Sequence, residues 1–236
     1  MCFMPRPVIF DLFNTLVDGA DDERVRVLGE MALVVGVAPA DLIAAYHATW
    51  RDRLVQWGAE MTVRVLAQRL GASPTEEQVR RAAALRRAMS RRVLDAVSPG
   101  TLAVLDALRA DGHPMALISN ATSDTAEAWP MSRLASRFEV AVFSCEVGMA
   151  KPDPRIYRLA AERLGVAPTD CVFVGDGADG ELDGAAAVGM TVFRTMEHND
   201  TAPNWEGPVL SALADLPVLL RERGIAHRVQ NEVGGA

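Results

Sequence analysis

The chain alternates short apolar runs with longer stretches in which apolar residues recur every three or four positions. Short apolar runs that end at polar or turn-forming residues are typical of buried strands in a parallel sheet. The wider spacing is typical of helices, and the repeated succession of helix, strand and polar loop indicates an α/β fold. The predicted strands are residues 8–10, 115–118, 140–143, 171–174 and 191–193.

The stretch that follows the first predicted strand has helical periodicity throughout. Its breaks fall at residues 36–39, at Gly58 and at residues 71–74, so several helices and no strand are expected there. We predict a Rossmann-like parallel sheet core into which an all-helical cap domain is inserted. The predicted boundaries are residues 1–18 and 98–225 for the core, 19–97 for the cap, and 226–236 for a tail that frays.

One predicted cap helix covers about residues 40–57 and carries Tyr46, Trp50 and Trp57 on one face. Such a stripe is typical of a core contact, and the alternative is that one of these rings projects towards a ligand. The sequence does not rank the charged candidates for a ligand contact in this region, which are Arg24, Arg26, His47, Arg51 and Arg53.

The 236 residues carry a formal net charge of -7, with a pI near 5.2. This charge disfavours a nucleic acid partner, because affinity for a phosphate backbone comes largely from clustered basic residues. Cys2, Cys145 and Cys171 are widely spaced and form no disulfide or zinc pattern. No apolar run is long enough for a secretory signal or a membrane span. We therefore expect a cytoplasmic monomer or homodimer that acts on a small molecule, with neither a nucleic acid nor a membrane partner.

Four loops at the ends of apolar runs carry the candidate chemistry. Asp11 ends the first run, the Ser119-Asn120 pair ends the second, and Asp176 follows the fourth. Lys151, the only lysine of the chain, lies in a loop bounded by glycine and proline after the third run. Because ligands of an open parallel sheet bind at the carboxyl ends of its strands, these loops are expected to converge on one pocket.

Carboxylates are crowded after the fourth run. Asp179, Glu181 and Asp183 follow Asp176, and such groups repel one another unless a cation offsets them. Hard oxygen ligands of this kind suit Mg²⁺. We interpret Asp176 as a metal ligand, and Asp179 and Asp183 as the solvated acidic start of a helix.

Together these loops resemble the four motifs of the haloacid dehalogenase superfamily, in the same order. The resemblance covers nearly the whole chain outside the cap and the tail. The position of the cap, between the first two motifs, is similar to the family's first cap class, whose helices close over the site and select the substrate. The matching residues are Asp11 with Thr15, then Ser119, then Lys151 in a Lys-Pro-Asp-Pro loop, then Gly175-Asp176 with Glu181.

The resemblance implies that Asp11 attacks the phosphorus of a small phosphorylated metabolite and forms an aspartyl-phosphate. It implies Mg²⁺ as the cofactor, held by the side chains of Asp11 and Asp176 and by the backbone carbonyl of Phe13. Lys151 would act in catalysis, because its charge reduces the repulsion between Asp11 and the phosphate. The predicted substrate-binding residues are Phe13, Asn14, Thr15, Ser119, Asn120 and Lys151.

Phe13 departs from the pattern of most phosphatases of the superfamily. They carry a second aspartate at this position as general acid and base, and a phenyl ring cannot transfer a proton. The superfamily's 2-haloacid dehalogenases place an aromatic residue there, and a halide leaves without protonation. Dehalogenases of this type work without metal, however, and the Gly175-Asp176 motif is present here. We therefore prefer a phosphatase, with a 2-haloacid dehalogenase acting through an aspartyl ester on Asp11 as the alternative.

Two further hypotheses concern other uses of the same site. Phosphonatase-type relatives form a Schiff base with a cap lysine, and the cap of this chain contains no lysine, which excludes that mechanism. A weakly active homologue that only binds a ligand is the other alternative. The intact Asp11, Lys151 and Asp176 argue against it, because a decayed site need not keep its nucleophile.

Overall fold

Six strands form one sheet at the centre of the computed structural model, which describes residues 5–222. The strands are β1 Val8–Phe10, β2 Met115–Ser119, β3 Val140–Phe143, β4 Val172–Gly175, β5 Thr191–Thr195 and β6 Val209–Leu210. Their order is β3-β2-β1-β4-β5-β6, and every neighbouring pair is parallel. The predicted Rossmann-like α/β sheet is confirmed, except that β6 was not predicted. The predicted tail at residues 226–236 lies outside the described residues.

Helices alternate with the strands in the second half of the chain and fill the stretch between β1 and β2. Their bounds are α1 Asp21–Val35, α2 Pro39–Ala48, α3 Trp50–Val55, α4 Ala59–Arg69, α5 Glu76–Asp95, α6 Pro99–Ala110, α7 Ser123–Ala128, α8 Ser144–Val147, α9 Pro154–Arg163 and α10 Glu181–Ala187. Residues 216–222 are also helical. The helices α1 to α5 form a helical insertion, residues 21–95, that contains no strand, as predicted.

The prediction of one helix over residues 40–57 is wrong. The backbone forms α2 and α3 instead, and Thr49 between them has φ -106° and ψ 20°. The Thr49 hydroxyl donates a hydrogen bond to the Ala45 carbonyl at 2.9 Å, and such bonds compete with the backbone bonds that continue a helix. Tyr46 and Trp57 are buried, whereas Trp50 is 36% exposed. The aromatic residues therefore do not form one continuous stripe.

Successive residues of the central strands pack into two hydrophobic clusters. Val8 and Phe10 belong to one cluster and Ile9 to the other, as expected for side chains that alternate across a sheet. Both faces of the sheet are therefore covered, which explains why its strands are continuous apolar runs. The polar residues that follow these runs lie at the carboxyl edge of the sheet.

No single helix among residues 5–222 is both long enough and apolar enough to span a membrane. The helices α1 and α2 meet the criteria of length and composition only as a pair, and they are bent by 115° at the break between them.

Candidate active site

The carboxyl ends of β1, β2 and β4 meet at one edge of the sheet, because β1 lies between the other two strands. Asp11 follows β1, Ser119 ends β2 and Asp176 follows β4. The Asp11 backbone N–H donates to the Val174 carbonyl at 2.9 Å, which fixes the start of the loop after β1. A cavity of about 250 Å³ opens at this edge, and Asp11, Lys151 and Asp176 line it.

The Lys151 ammonium lies between two carboxyl groups. It donates hydrogen bonds to Asp11 Oδ1 and Glu181 Oε2, and all three side chains are buried. Asn120 holds the loop of Lys151 in place. Its side-chain amide donates to the Lys151 carbonyl at 3.0 Å, and its Oδ1 accepts from the Lys151 N–H at 2.7 Å. Asn120 lines the cavity as well, so it is placed both to position Lys151 and to contact a ligand.

Three buried carboxyl groups form a compact cluster in this cavity. One oxygen from each of Asp11, Asp176 and Glu181 lies within 4.8 Å of the other two. Thr201 Oγ1 donates to Asp176 Oδ2 at 2.7 Å, and the Gly177 N–H donates to Glu181 Oε1 at 3.0 Å. The cluster contains three carboxyl groups, and one ammonium, that of Lys151, contacts two of them. Its oxygen-only donor set and excess of negative charge fit a divalent cation such as Mg²⁺.

Burial dominates the protonation of this cluster. It raises the pKa of Asp11, and Lys151 offsets that rise only in part. It raises the pKa of Glu181 to about 8, again against the effect of Lys151 and with a contribution from Asp11. Burial alone disfavours the Lys151 ammonium, but the contacts with Asp11 and Glu181 raise its pKa above the usual range. The lysine is therefore charged at neutral pH.

The helical insertion supplies part of the cavity wall. Arg24, Tyr46, Trp50 and Arg86 line the same cavity as Asp11. Of the two arginines singled out near the first loop, Arg24 is thus at the site, whereas Arg26 lies on an exposed face and forms an ion pair with a neighbouring glutamate. The cavity combines carboxyl groups at the sheet edge with two arginines from the insertion, and these arginines are ion-paired, Arg24 with Asp21 and Arg86 with Asp124.

Two predicted substrate-binding residues lie behind the cavity surface. Thr15 and Ser119 are fully buried, and their hydroxyls have no hydrogen-bond partner within residues 5–222. Buried hydroxyls usually have a partner, so both are unsatisfied donors, Thr15 in the loop after β1 and Ser119 at the end of β2. Asn14 does line the cavity, but its Oδ1 accepts hydrogen bonds from the Gly19 N–H and from Asn199 Nδ2, both at 3.0 Å. Its contacts stabilise the first loop.

The family follows from a comparison with known proteins. Residues 6–189 match the family model described as haloacid dehalogenase-like hydrolase. The chain belongs to this family. The predicted family and the predicted enzyme class, a hydrolase, are both confirmed.

Relatives of both chemical types are similar to this haloacid dehalogenase-like hydrolase. A phosphoglycolate phosphatase from Xylella fastidiosa (strain 9a5c) is 30% identical over 215 residues, which cover 87% of this chain and 88% of that protein. (S)-2-haloacid dehalogenase 1 from Pseudomonas sp. (strain CBS-3) is 31% identical over 141 residues, 56% of this chain and 62% of that protein. The crystal structure of a HAD phosphatase from Thermococcus onnurineus matches with a TM-score of 0.67 at 20% identity, over 91% of this chain and 97% of that one, and shows a shared fold.

Two acidic residues of this hydrolase have places that the sequence interpretation missed. Glu181 was noted in the fourth motif and among the crowded carboxylates but not predicted as a site residue, and it belongs to the carboxyl cluster. Asp179 was interpreted as a solvated residue at the start of a helix, and it is exposed. It lies in a short 3₁₀ turn, Ala178–Gly180, with φ 55°, lines the cavity and accepts a hydrogen bond from Asn120 Nδ2 at 3.3 Å. Gly177 and Gly180 lie on either side of the pair Ala178-Asp179 and were the sequence signal for the turn.

The raised pKa values predict how stability depends on pH in the metal-free protein. Glu181 has an ordinary pKa of 4.5 and a folded-state pKa of about 8, so between these values the folded protein keeps a proton that the unfolded chain loses. Stability is then expected to fall as pH rises through this window. The raised pKa of Asp11 acts in the same direction.

Urea unfolding in the presence of a chelator, from pH 5 to pH 8, measures this dependence. Glu181→Gln should flatten the profile, and Asp183→Asn, which changes an exposed carboxyl on the same helix, should leave it as in the wild type. A metal-free wild-type protein that becomes more stable across this window would contradict the prediction.

Proposed function

We propose that this chain is a Mg²⁺-dependent phosphatase of small phosphorylated metabolites, with Asp11 as the nucleophile. The observation that carries the proposal is the buried cluster of Asp11, Asp176 and Glu181, whose oxygens lie within 4.8 Å of one another beside a single ammonium. Mg²⁺ held by Asp11, Asp176 and the Phe13 carbonyl would neutralise this cluster and polarise a phosphate oxygen. A metal-independent reaction at carbon would leave the mutual repulsion of these carboxyl groups without a cation to offset it.

The residues of the site suit an in-line displacement at phosphorus. An Asp11 carboxylate oxygen forms a bond to phosphorus while the bond from phosphorus to the ester oxygen breaks, and the electron pair leaves with that oxygen. Water then cleaves the aspartyl-phosphate, which releases inorganic phosphate and regenerates the carboxylate. Lys151 reduces the repulsion between Asp11 and the incoming dianion. The Ser119 hydroxyl at the end of β2 lies behind the cavity surface, and its lack of a hydrogen-bond partner within residues 5–222 supports the predicted role as a donor to a phosphate oxygen.

We further propose that the helical insertion acts as a cap that selects the substrate, with residues 19–97 as the cap and residues 1–18 and 98–225 as the core. Its contribution of Arg24 and Arg86 to the cavity wall supports this role. Arg24 is paired with Asp21 and Arg86 with Asp124, and as the cationic residues that the insertion adds to this wall they favour a substrate with a second negative group. Phosphoglycolate, the substrate named for the relative from Xylella fastidiosa, has such a carboxylate and is the first compound to test.

A specific observation favours a second function, that of a 2-haloacid dehalogenase. Phe13 is half-buried, lines the cavity and offers no proton to a leaving group. A halide needs none, and a 2-haloacid dehalogenase from Pseudomonas is among the relatives. The cluster of Asp176 and Glu181 with Asp11 argues against this chemistry, because Mg²⁺ held there would reduce the attack of Asp11 on carbon.

The two functions are separated by one parallel screen of the purified protein. Phosphoglycolate, other small phosphate esters and 2-haloacids are incubated with Mg²⁺ and, separately, with a chelator. We expect phosphate release that needs Mg²⁺ and no halide release. Metal-independent halide release without phosphate release would instead establish the dehalogenase. If neither product forms while phosphoglycolate binds tightly in calorimetry, the chain is the weakly active ligand-binding homologue.

A further inference from the structure

Arg53 of α3 is a fully buried cation with unsatisfied donors. Its side chain is 0% exposed, and within the part of the chain that the structure describes its Nε and Nη1 have no hydrogen-bond partner. Its Nη2 donates to the Tyr46 carbonyl at 2.8 Å, and its guanidinium lies 3.3 Å from the centroid of the Tyr46 ring. The ring face stabilises the cation in part, but it does not satisfy the free N–H groups.

The charge around Arg53 is not balanced by the residues that surround it. Arg53 lines a small cavity between the helical insertion and the core, whose nine lining residues include a second arginine, Arg86, and one acid, Asp124. Asp124 accepts hydrogen bonds from Arg86 at 3.1 Å and from Ser90 at 2.5 Å, so it is already paired. Two cations and one anion leave one positive charge in excess.

Arg53 keeps its charge at neutral pH. Burial lowers its pKa to about 10, and the nearby Arg86 acts in the same direction, whereas Tyr46 and Asp124 act against this lowering. A buried charge without a partner is costly, and proteins normally pair it. Asp124 is hydrogen-bonded to Arg86 and Ser90, so the free Arg53 donors have no carboxylate partner within residues 5–222.

The cavity beside Arg53 has room for one small occupant. It encloses about 10 Å³, which is about the space that one water-sized particle needs. Ser123 also lines it, and the Ser123 hydroxyl is buried and has no hydrogen-bond partner within residues 5–222. Donors from Arg53 and Ser123 therefore border a space of atomic size, and Asp124, the one acid among its described lining residues, is already hydrogen-bonded to Arg86 and Ser90.

We propose that this cavity is a binding site for one small monoanion, with Arg53 as its main ligand and the Ser123 hydroxyl as a second donor. The anion compensates the excess charge and links the helical insertion to the core. It comes either from solution, as a halide such as chloride, or from the substrate, as a carboxylate. The substrate as a source rests on the proposed function. A substrate can reach this cavity because its wall and the wall of the active-site cavity share Tyr46, Arg86 and Thr122.

Halide binding is tested by thermal unfolding at constant ionic strength, in which sodium isethionate is replaced stepwise by sodium chloride or bromide. A bound halide should raise the melting temperature by about 3–6 °C at ten times its Kd, with saturation. Arg53→Met should abolish this rise. Arg51→Met, which removes an exposed charge from the same helix, should retain it. Arg53→Met should fold, since it replaces an unpaired buried charge with an apolar side chain.

A second measurement on the wild-type protein does not depend on any variant folding. Crystals grown in bromide should contain one anomalous scatterer within hydrogen-bond distance of Arg53. The proposal is overturned if chloride and isethionate give the same melting curves and Arg53→Met leaves the KM for phosphoglycolate unchanged. It is also overturned if the Arg53→Met variant keeps the full halide response.

Steady-state kinetics with Mg²⁺ identify the source of the anion. If the substrate supplies the anion, Arg53→Met should raise the KM for phosphoglycolate at least tenfold and leave the KM for p-nitrophenyl phosphate unchanged. Chloride should then compete with phosphoglycolate and not with p-nitrophenyl phosphate. If chloride is the occupant, neither KM should respond. A halide response in unfolding without turnover of either ester would support the anion site and refute the proposed phosphatase.

Discussion

Asp11→Asn is expected to abolish phosphate release, by a factor of about 10⁴ or more, because an amide cannot form the aspartyl-phosphate. The side chain keeps its size, and it still accepts a hydrogen bond from Lys151. The variant should therefore fold, and in metal-free buffer its melting temperature should match or exceed that of the wild type, since one of three clustered carboxyl groups is gone. Turnover of phosphoglycolate and thermal unfolding, measured on the same preparation, test both expectations.

The matched control for this variant is Asp183→Asn. Asp183 is exposed on α10, beyond the cavity wall, so its substitution should leave turnover within about twofold of the wild type. If Asp11→Asn retained a substantial fraction of the activity, the nucleophile would have to be another group. Loss of activity together with loss of the folded state would implicate the hydrogen bond to Lys151 in stability.

The sequence was sufficient to predict the sheet and the loops that carry the site. Apolar runs that are buried on both faces of a parallel sheet can end only where the chain leaves the core, so Asp11 and Asp176 could be placed at the carboxyl edge. Lys151 was predictable for a different reason. It is the only lysine of the chain and lies in a loop bounded by glycine and proline, which favours a functional position over a solvated one. The observed contact between Lys151 and Asp11 agrees with this reasoning.

The features that the sequence did not reveal depend on single hydrogen bonds or on tertiary contacts. The break between α2 and α3 occurs where the Thr49 hydroxyl bonds to a backbone carbonyl, in a stretch whose periodicity is otherwise helical. β6 has only two residues and lacks a detectable pattern. Arginine is usually found at the protein surface, and Arg53 is buried only because α3 packs against the core. The burial of such residues follows from the tertiary structure and cannot be read from the sequence pattern.

The acidic residues after β4 illustrate both cases. Position in the motif identified Asp176, but the inclusion of Glu181 in the cluster depends on the turn at Ala178–Gly180, which brings its carboxyl back to Lys151. Glu181 is then held by Lys151 on one side and by the Gly177 N–H on the other. These contacts fix Glu181 beside Lys151, and its raised pKa keeps a proton on it at neutral pH in the metal-free protein.

Phe13→Asp is expected to increase the turnover of alkyl phosphate esters by about 10²-fold, because it places a general acid two residues after the nucleophile. Phe13 lines the same cavity as Asp11 and is half-buried, so a carboxyl group at this position can reach the ester oxygen. The gain should depend on the leaving group. An alkoxide needs a proton as it leaves and should gain most, whereas p-nitrophenolate leaves unaided and should gain little.

Phe13→Asn is the matched control, since it has the size of the aspartate but cannot exchange a proton at neutral pH. The measurement is kcat for glycerol phosphate and for p-nitrophenyl phosphate, in the presence of Mg²⁺, for both variants and the wild type. Equal rates for the two variants would show that proton transfer does not limit the reaction. If the chain is instead a dehalogenase, Phe13→Asp should lower halide release, because a fourth carboxyl group then faces an anionic substrate beside Asp11.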